Sequence, residues 1–402
     1  MFISSKRNTR YYYGYSLFSN LLILGPIMTI YFFSKGLSFA QIMFLGSIAS
    51  VAIVIFEVPT GAMADKLGRK PSMILGALLC SISLLIFVFG HNFYVFAIAE
   101  IIFSLGATFK SGSDVALIYD SLKADGEEGK FQEVQGKAKS YLLYAQGIGS
   151  ILASFLYEIN RELPFILSAI FVFISALIAF KLIEPPIENK KGKYGENYFK
   201  QIKSSAIYVV KQKKVRAIIL YSMMFFVFFR AGFFLIQPYF EDVLIPVKLF
   251  GLIFFFFNMV AAIASKNAHR IMKATRGKTL ILLSVLMVTS FILIGLSKWW
   301  IGVIPMMLQQ VARGLYNPTV KKHLNKNIPS DKRATILSFF SLLTNLSVAA
   351  CFPIFGLLKD KTDIFSFHLY TGFIMFGLTC IFAIYLNKNL GKNNIKKIIK
   401  TS

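Results

Sequence analysis

The sequence predicts an all-α membrane protein of twelve transmembrane helices in two six-helix bundles, and three observations carry that reading. Of 402 residues, 56% are hydrophobic and 16% are charged, with a mean hydropathy of +0.62. A soluble domain averages about 45–50% apolar and about 25% charged residues. The apolar residues gather in uncharged runs of roughly 18 residues or more, enough to cross a hydrocarbon core of roughly 30 Å. Those runs are continuously apolar rather than alternating, which favours helices over barrel strands. In lipid only these two arrangements pair every backbone polar group within the protein.

Taken in order, the spans are expected near residues 11–34, 38–60, 72–91, 94–119, 139–159, 164–183, 216–238, 248–265, 279–297, 299–320, 335–358 and 366–387. The first run is too long for the apolar part of a cleavable signal and reads as a retained span. The ninth and tenth spans separate at Ser297 and Lys298. A Lys-rich stretch opened by Glu184, Pro185 and Pro186 divides the chain. Residues 1–183 form an N-terminal bundle, 184–215 a cytoplasmic linker and 216–402 a C-terminal bundle. Equal span numbers suggest an internal duplication. The polar segments 119–136 and 321–338, which follow the fourth and tenth spans, are a faint trace of it.

The net charge of +25 would suggest nucleic acid in a soluble protein. Its distribution gives another explanation. Of the 44 Lys and Arg residues, 35 lie in the even-numbered connections and the termini, 6 in the odd-numbered connections and 3 inside spans. Cationic connections are retained on the cytoplasmic side of a cell membrane, so both termini are expected there and no nucleic acid is needed as a partner. Cys80, Cys351 and Cys380 lie in apolar runs without paired spacing, so neither a disulfide framework nor a zinc site is indicated. The four histidines are scattered, and no metal or cofactor is expected. MKATRGKT, 272–279, lacks the leading Gly of a phosphate loop. No catalytic arrangement is apparent, and the protein is not read as an enzyme.

One short connection stands out. GAMADKLGRKPS, 61–72, joins the second and third spans and concentrates Asp65, Lys66, Arg69 and Lys70 around Gly61 and Gly68. Gly61 permits close approach of helix ends, and Gly68 permits positive φ at a reversal. Asp65 suits a helix N-terminus, and Arg69 suits a forked pair with a carboxylate. The segment resembles the signature of the major facilitator superfamily, G-x-x-x-D-[RK]-x-G-R-[RK], at every position. The resemblance covers essentially the whole chain and implies a bacterial-type secondary transporter. It further implies a conformational latch of Gly61, Asp65, Gly68, Arg69 and an acid ending the fourth span, matched by Asp120. SKNAHRIMKATRGKT, 265–279, is similar to a second copy that has lost its Asp.

Ionisable groups at membrane depth cost roughly 2.5–3.5 kcal/mol on insertion scales and usually face a cavity or a partner. At 100° per residue, Lys110 and Asp114 fall on the stripe of Glu100, and Asp114 is one turn from Lys110, so the pair can touch along the helix. Glu100 and Asp114 would then be about 21 Å apart along the axis. That separation suits two proton-coupling acids, and Lys110 with Asp114 equally suits a structural pair. Arg230 lies among phenylalanines in the seventh span, and Arg313 precedes Pro318 in the tenth. The resemblance implies that the first, fourth, seventh and tenth spans line a cavity. Lys110, Arg230 and Arg313 are therefore its substrate-facing candidates.

The expected function is alternating-access, proton-coupled efflux of a small amphipathic compound or drug, by a monomer in the lipid bilayer. Two features depart from the drug antiporters of the family. The fourth span has Glu100 and no Arg before Gly106, and AQGIGSILAS, 145–154, has no Pro. Proton-symport import of a small anionic metabolite is the alternative. A non-transporting membrane sensor or interaction protein is a third reading, from another class.

Overall fold

The computed structural model describes residues 3–185, 194–275 and 278–390. The described residues form sixteen α-helices and no strand. They are α1 (Ile3–Asn20), α2 (Met28–Ser34), α3 (Phe39–Leu67), α4 (Arg69–Phe89), α5 (Phe93–Lys110), α6 (Ser113–Ala124), α7 (Phe131–Ile159) and α8 (Leu163–Phe180). There follow α9 (Tyr194–Lys211), α10 (Lys213–Asp242), α11 (Val247–Lys266), α12 (Ala268–Ala274), α13 (Thr279–Leu296), α14 (Val303–Asn327), α15 (Arg333–Asp360) and α16 (Ile364–Leu390).

Ten helical segments are long and apolar enough to cross a membrane, with α5 and α6 counted as one. Of the twelve expected spans, the first and the tenth are not among them. The first is divided between α1 and α2. The tenth, α14, carries Gln309, Gln310, Arg313 and Asn317 within its length. The turn at residues 21–27 leaves the first no single helix both long and apolar enough, and the tenth is helical but too polar to stand out by hydropathy. The boundary between the ninth and tenth spans lies where the sequence places it, after Leu296.

The chain divides into two compact units. The first comprises the described residues of Met1–Gly195 together with Pro246–Phe255, and the second those of Glu196–Ile245 together with Phe256–Ser402. Inside unit 1, α1 packs on α7 and α8, and α4 packs on α5 and α8. Inside unit 2, α10 packs on α15 and α16, and α13 packs on α14 and α16. The same neighbour pattern recurs in the same chain order. The core of unit 1 includes Tyr15, Met73, Leu117, Ala179 and Leu182, which bring α1, α4, α6 and α8 together. The stretch expected to be a linker includes a helix, α9, and residues 186–193 of it lie outside the described residues.

Candidate functional site

The turn between α3 and α4 is tighter than the sequence suggests. Helix α3 continues through Gly61 to Leu67, and Gly68 alone separates it from α4. A Cβ on Gly61 would meet nothing within 4 Å, so the close approach expected there does not occur. Gly68 does adopt positive φ, 108° with ψ 161°. Its other requirement was not foreseen. The Glu184 carboxylate, just beyond α8, accepts the Arg69 and Lys70 N–H groups at 2.6 and 2.7 Å. These are free donors at the positive end of α4. A Cβ on Gly68 would lie 3.0 Å from that carboxyl group.

The acid at the N-terminus of α4 is therefore Glu184, whereas the residue types pointed to Asp65. Asp65 lies in the last turn of α3, before the break, and its Oδ1 meets Arg69 Nη1 at 2.5 Å. No hydrogen bond or ion pair joins Asp120 to Arg69 among the described residues; Asp120 sits half-buried on α6. Asn8 braces the same corner. Its Nδ2 donates to Ser121 Oγ and to Ile183 O, each at 2.8 Å, and its Oδ1 accepts the Ile183 N–H at 2.8 Å. The sequence signal for Glu184 is an acid followed by Pro185 at the end of an apolar run, and it reads equally well as the start of a linker.

Two spans of unit 1 are interrupted, and the charges gather at the interruptions. Pro26 has no N–H to donate and disfavours helix at Gly25. Residues 21–27 accordingly form a turn, with Ile27 N donating to Leu24 O at 3.0 Å. The Ile23 N–H, released from the helix ladder, donates to Ser168 Oγ at 2.8 Å, which satisfies that donor in the apolar region. Helix α1 ends at Asn20, and Lys110 Nζ donates to the Ser19 carbonyl at 3.4 Å. A cation there meets the negative end of α1.

The fourth span breaks between Lys110 and Asp114. Ser111 N closes α5 on Ala107 O at 2.9 Å, Gly112 takes φ 79°, and Ala116 N opens α6 on Gly112 O at 2.9 Å. Among the described residues no hydrogen bond or ion pair joins Lys110 to Asp114, because an extrapolation at 100° per residue fails across a left-handed residue. Asp114 instead occupies the first turn of α6, where its Oδ1 accepts the Val115 N–H at 2.7 Å. Glu100 is buried in α5, 8% exposed. Beside it, the Ala99 carbonyl accepts Ser83 Oγ of α4 at 2.7 Å.

Unit 2 treats its charges differently. Helices α10 and α14 run unbroken, with Pro238 and Pro318 inside them. Arg313 Nη2 donates to Asn258 Oδ1 of α11 at 2.5 Å. Three residues on, Tyr316 stacks on Phe225 with ring centroids 5.1 Å apart and donates to the Ser222 carbonyl at 3.2 Å, which ties α14 to α10. Arg230 is half-buried on α10. Neither Asn258 nor Tyr316 was recognisable from the sequence, because each lies in a run whose other residues explain packing. Arg276 and Gly277 of the second loop segment lie outside the described residues.

Two units of long apolar helices, with ionisable groups held within them, define a polytopic membrane protein. A sequence model of the Major Facilitator Superfamily matches residues 13–350, and the chain belongs to that family. It is 25% identical over 367 residues to an uncharacterized MFS-type transporter, YxaM, of Bacillus subtilis (strain 168), covering 87% of this chain and 88% of that one. It is 24% identical over 176 residues to the quinolone resistance protein NorA of Staphylococcus aureus, 44% of each chain. The fold is shared with the nucleoside transporter NupG at a TM-score of 0.76 and 14% identity, covering 95% of this chain and 98% of that one. A POT family transporter crystallised with a thioalcohol-conjugated peptide superposes at 0.74 and 14% identity, covering 96% and 97%.

Proposed function

We propose that this carrier exports small amphipathic compounds, drugs among them, by alternating access driven by the proton gradient across the cell membrane. The observation that carries the reading is Glu100, an acid only 8% exposed in the middle of a membrane-spanning helix. Ionisable groups at that depth are rare and mark ion and substrate paths, and reversible protonation is the role a carrier can use. The partial similarity to a quinolone resistance protein favours drugs as the cargo class. Asp114, at the α6 N-terminus, is the second candidate for proton coupling. Both termini and the 61–72 turn are cytoplasmic in this reading, following the distribution of Lys and Arg. Residues 1–183 and 216–402 act as two bundles of a monomer.

The 61–72 turn serves as the latch. The Asp65–Arg69 pair and the Glu184 cap hold α3 against α4 in one conformation and release in the other. Asp65→Asn is expected to slow transport with substrate affinity nearly unchanged. A large affinity loss at normal turnover would count against a latch.

Import of an anionic metabolite by proton symport is the second reading, favoured by the cations Lys110, Arg230 and Arg313 on expected cavity spans. Flux in proteoliposomes under an imposed pH gradient tests both. Substrate moving opposite to the proton flow supports export, and substrate moving with it supports import. Absence of flux for amphipathic drugs and anionic metabolites alike would remove both.

A further inference from the structure

Helix α9 presents an exposed face to which the proposed transport reading assigns no role. One side of it is buried. Val209 and Ser205 are 5% and 3% exposed, and Lys332 Nζ lies 5.1 Å from the centre of the Tyr208 ring. Its last turn is pinned beside the start of α10. Gln212 takes an extended conformation between the two helices, and Arg216 donates to Val210 O at 2.9 Å and to the Tyr385 hydroxyl at 2.8 Å. The helix is therefore held at the end of the bundle where α10 begins its span.

The outer side is different. At 3.6 residues per turn, Lys200, Lys203, Ile207, Val210 and Lys211 fall within an arc of about 100°. All five are exposed, Ile207 at 46% and Val210 at 61%. Residues 197–216 contain six Lys and Arg and no Asp or Glu. A cationic face carrying two uncovered aliphatic side chains, next to the first turn of a membrane span, has the composition of an interfacial helix.

We propose that this face of α9 binds the headgroups of anionic phospholipids. The lysines pair with phosphates, and Ile207 and Val210 seat at the boundary between headgroups and acyl chains. A protein or nucleic-acid partner would also accept lysines, but it would leave the two aliphatic side chains out of lipid. The proposal is independent of the cargo and of the coupling ion.

The test uses the full chain, with Cys80, Cys351 and Cys380 changed to Ser and Ile207→Cys carrying an environment-sensitive nitrobenzoxadiazole label. It is reconstituted in phosphatidylcholine alone, or mixed with phosphatidylglycerol. The expected result is a blue shift and quenching by brominated lipid in the mixed vesicles only. Salt should reverse both, as the screening length falls from about 10 Å at 0.1 M to about 3 Å at 1 M. The combined change Lys200→Glu, Lys203→Glu and Lys211→Glu should abolish them. A Val210→Cys label repeats the reading should the first variant fold poorly. Phosphatidylglycerol co-purifying with the unlabelled protein should also fall on charge reversal. Water-like emission in both vesicle types would overturn the proposal in favour of a soluble partner. An equal shift in both types would overturn it by showing apolar contact without headgroup recognition.

Discussion

The first and fourth spans of unit 1 are interrupted, and the seventh and tenth spans of unit 2, their counterparts in chain order, are not. Unit 1 breaks at residues 21–27 and again at Gly112, while α10 and α14 run for 30 and 25 residues. Each interruption exposes helix ends, and helix ends carry partial charge. Unit 1 places Lys110 at the end of α1 and Asp114 at the start of α6, so backbone dipoles neutralise them in part. Unit 2 has no such ends at Arg313 and satisfies it with the Asn258 side chain. The difference is one of partner: backbone helix ends meet Lys110 and Asp114 in unit 1, and a side-chain amide meets Arg313 in unit 2.

The largest way to break this comparison is Gly112→Val. A β-branched residue at φ 79° costs roughly 3 kcal/mol, at the upper end for a non-glycine residue held there. The expected outcome is a lowered melting temperature in detergent and a transport rate reduced about tenfold or more; normal behaviour would mean that the interruption is dispensable. Asn258→Leu comes next, with an expected loss of about 1.5–3 kcal/mol, the value of a hydrogen bond to a charged group. The double change with Arg313→Met should recover most of it, as a thermal-unfolding cycle would measure. Glu184→Ala removes the cap of α4 and should cost about 1–2 kcal/mol, with Glu184→Gln losing less.

Smaller effects sharpen the contrast. Lys110→Met should cost about 0.3–1 kcal/mol through the lost contact with the end of α1, and Lys110→Arg should cost almost nothing. The smallest effect is pH-dependent. Outside the spans, the hydrogen bond and charge of Lys35, at 2.9 Å, hold the Glu162 carboxyl below the usual carboxylate range. A carboxyl pKa lowered by folding adds stability that is complete above the unfolded value of about 4.3 and fades as pH falls through the folded value. The pair is partly exposed, so the contribution is below about 1 kcal/mol. In Lys35→Gln this acid-side loss of stability should shrink, as melting temperatures measured across that range would record.

Most of the architecture was legible because a bilayer admits few alternatives. Continuous apolar runs separated by charged connections leave little freedom in span number; the first span is interrupted at residues 21–27 and the tenth carries polar residues within its length. Details within the spans were less legible. Pro26 and Gly112 each break a helix, yet in sequence they sit in runs as apolar as their unbroken neighbours. Gly112 removed the direct i,i+4 contact expected of Lys110 and Asp114, because a single left-handed residue resets helical phase. At the 61–72 turn the residue types anticipated the positive φ of Gly68 and the involvement of Arg69. They could not name Glu184, 115 residues away from Arg69 in the chain. A long-range cap leaves no local pattern, whereas a tight turn does.

The central claim is that proton coupling resides in the acids of unit 1 and not in the charged residues of unit 2. Gradient-driven flux in proteoliposomes, compared among Glu100→Gln, Asp114→Asn, Arg230→Met and Arg313→Met, tests it most directly. The account predicts that an acid variant of unit 1 transports at the same rate with and without a pH gradient, while both arginine variants keep the gradient dependence at reduced turnover. Preserved gradient dependence in both acid variants, or its loss in an arginine variant alone, would contradict the account.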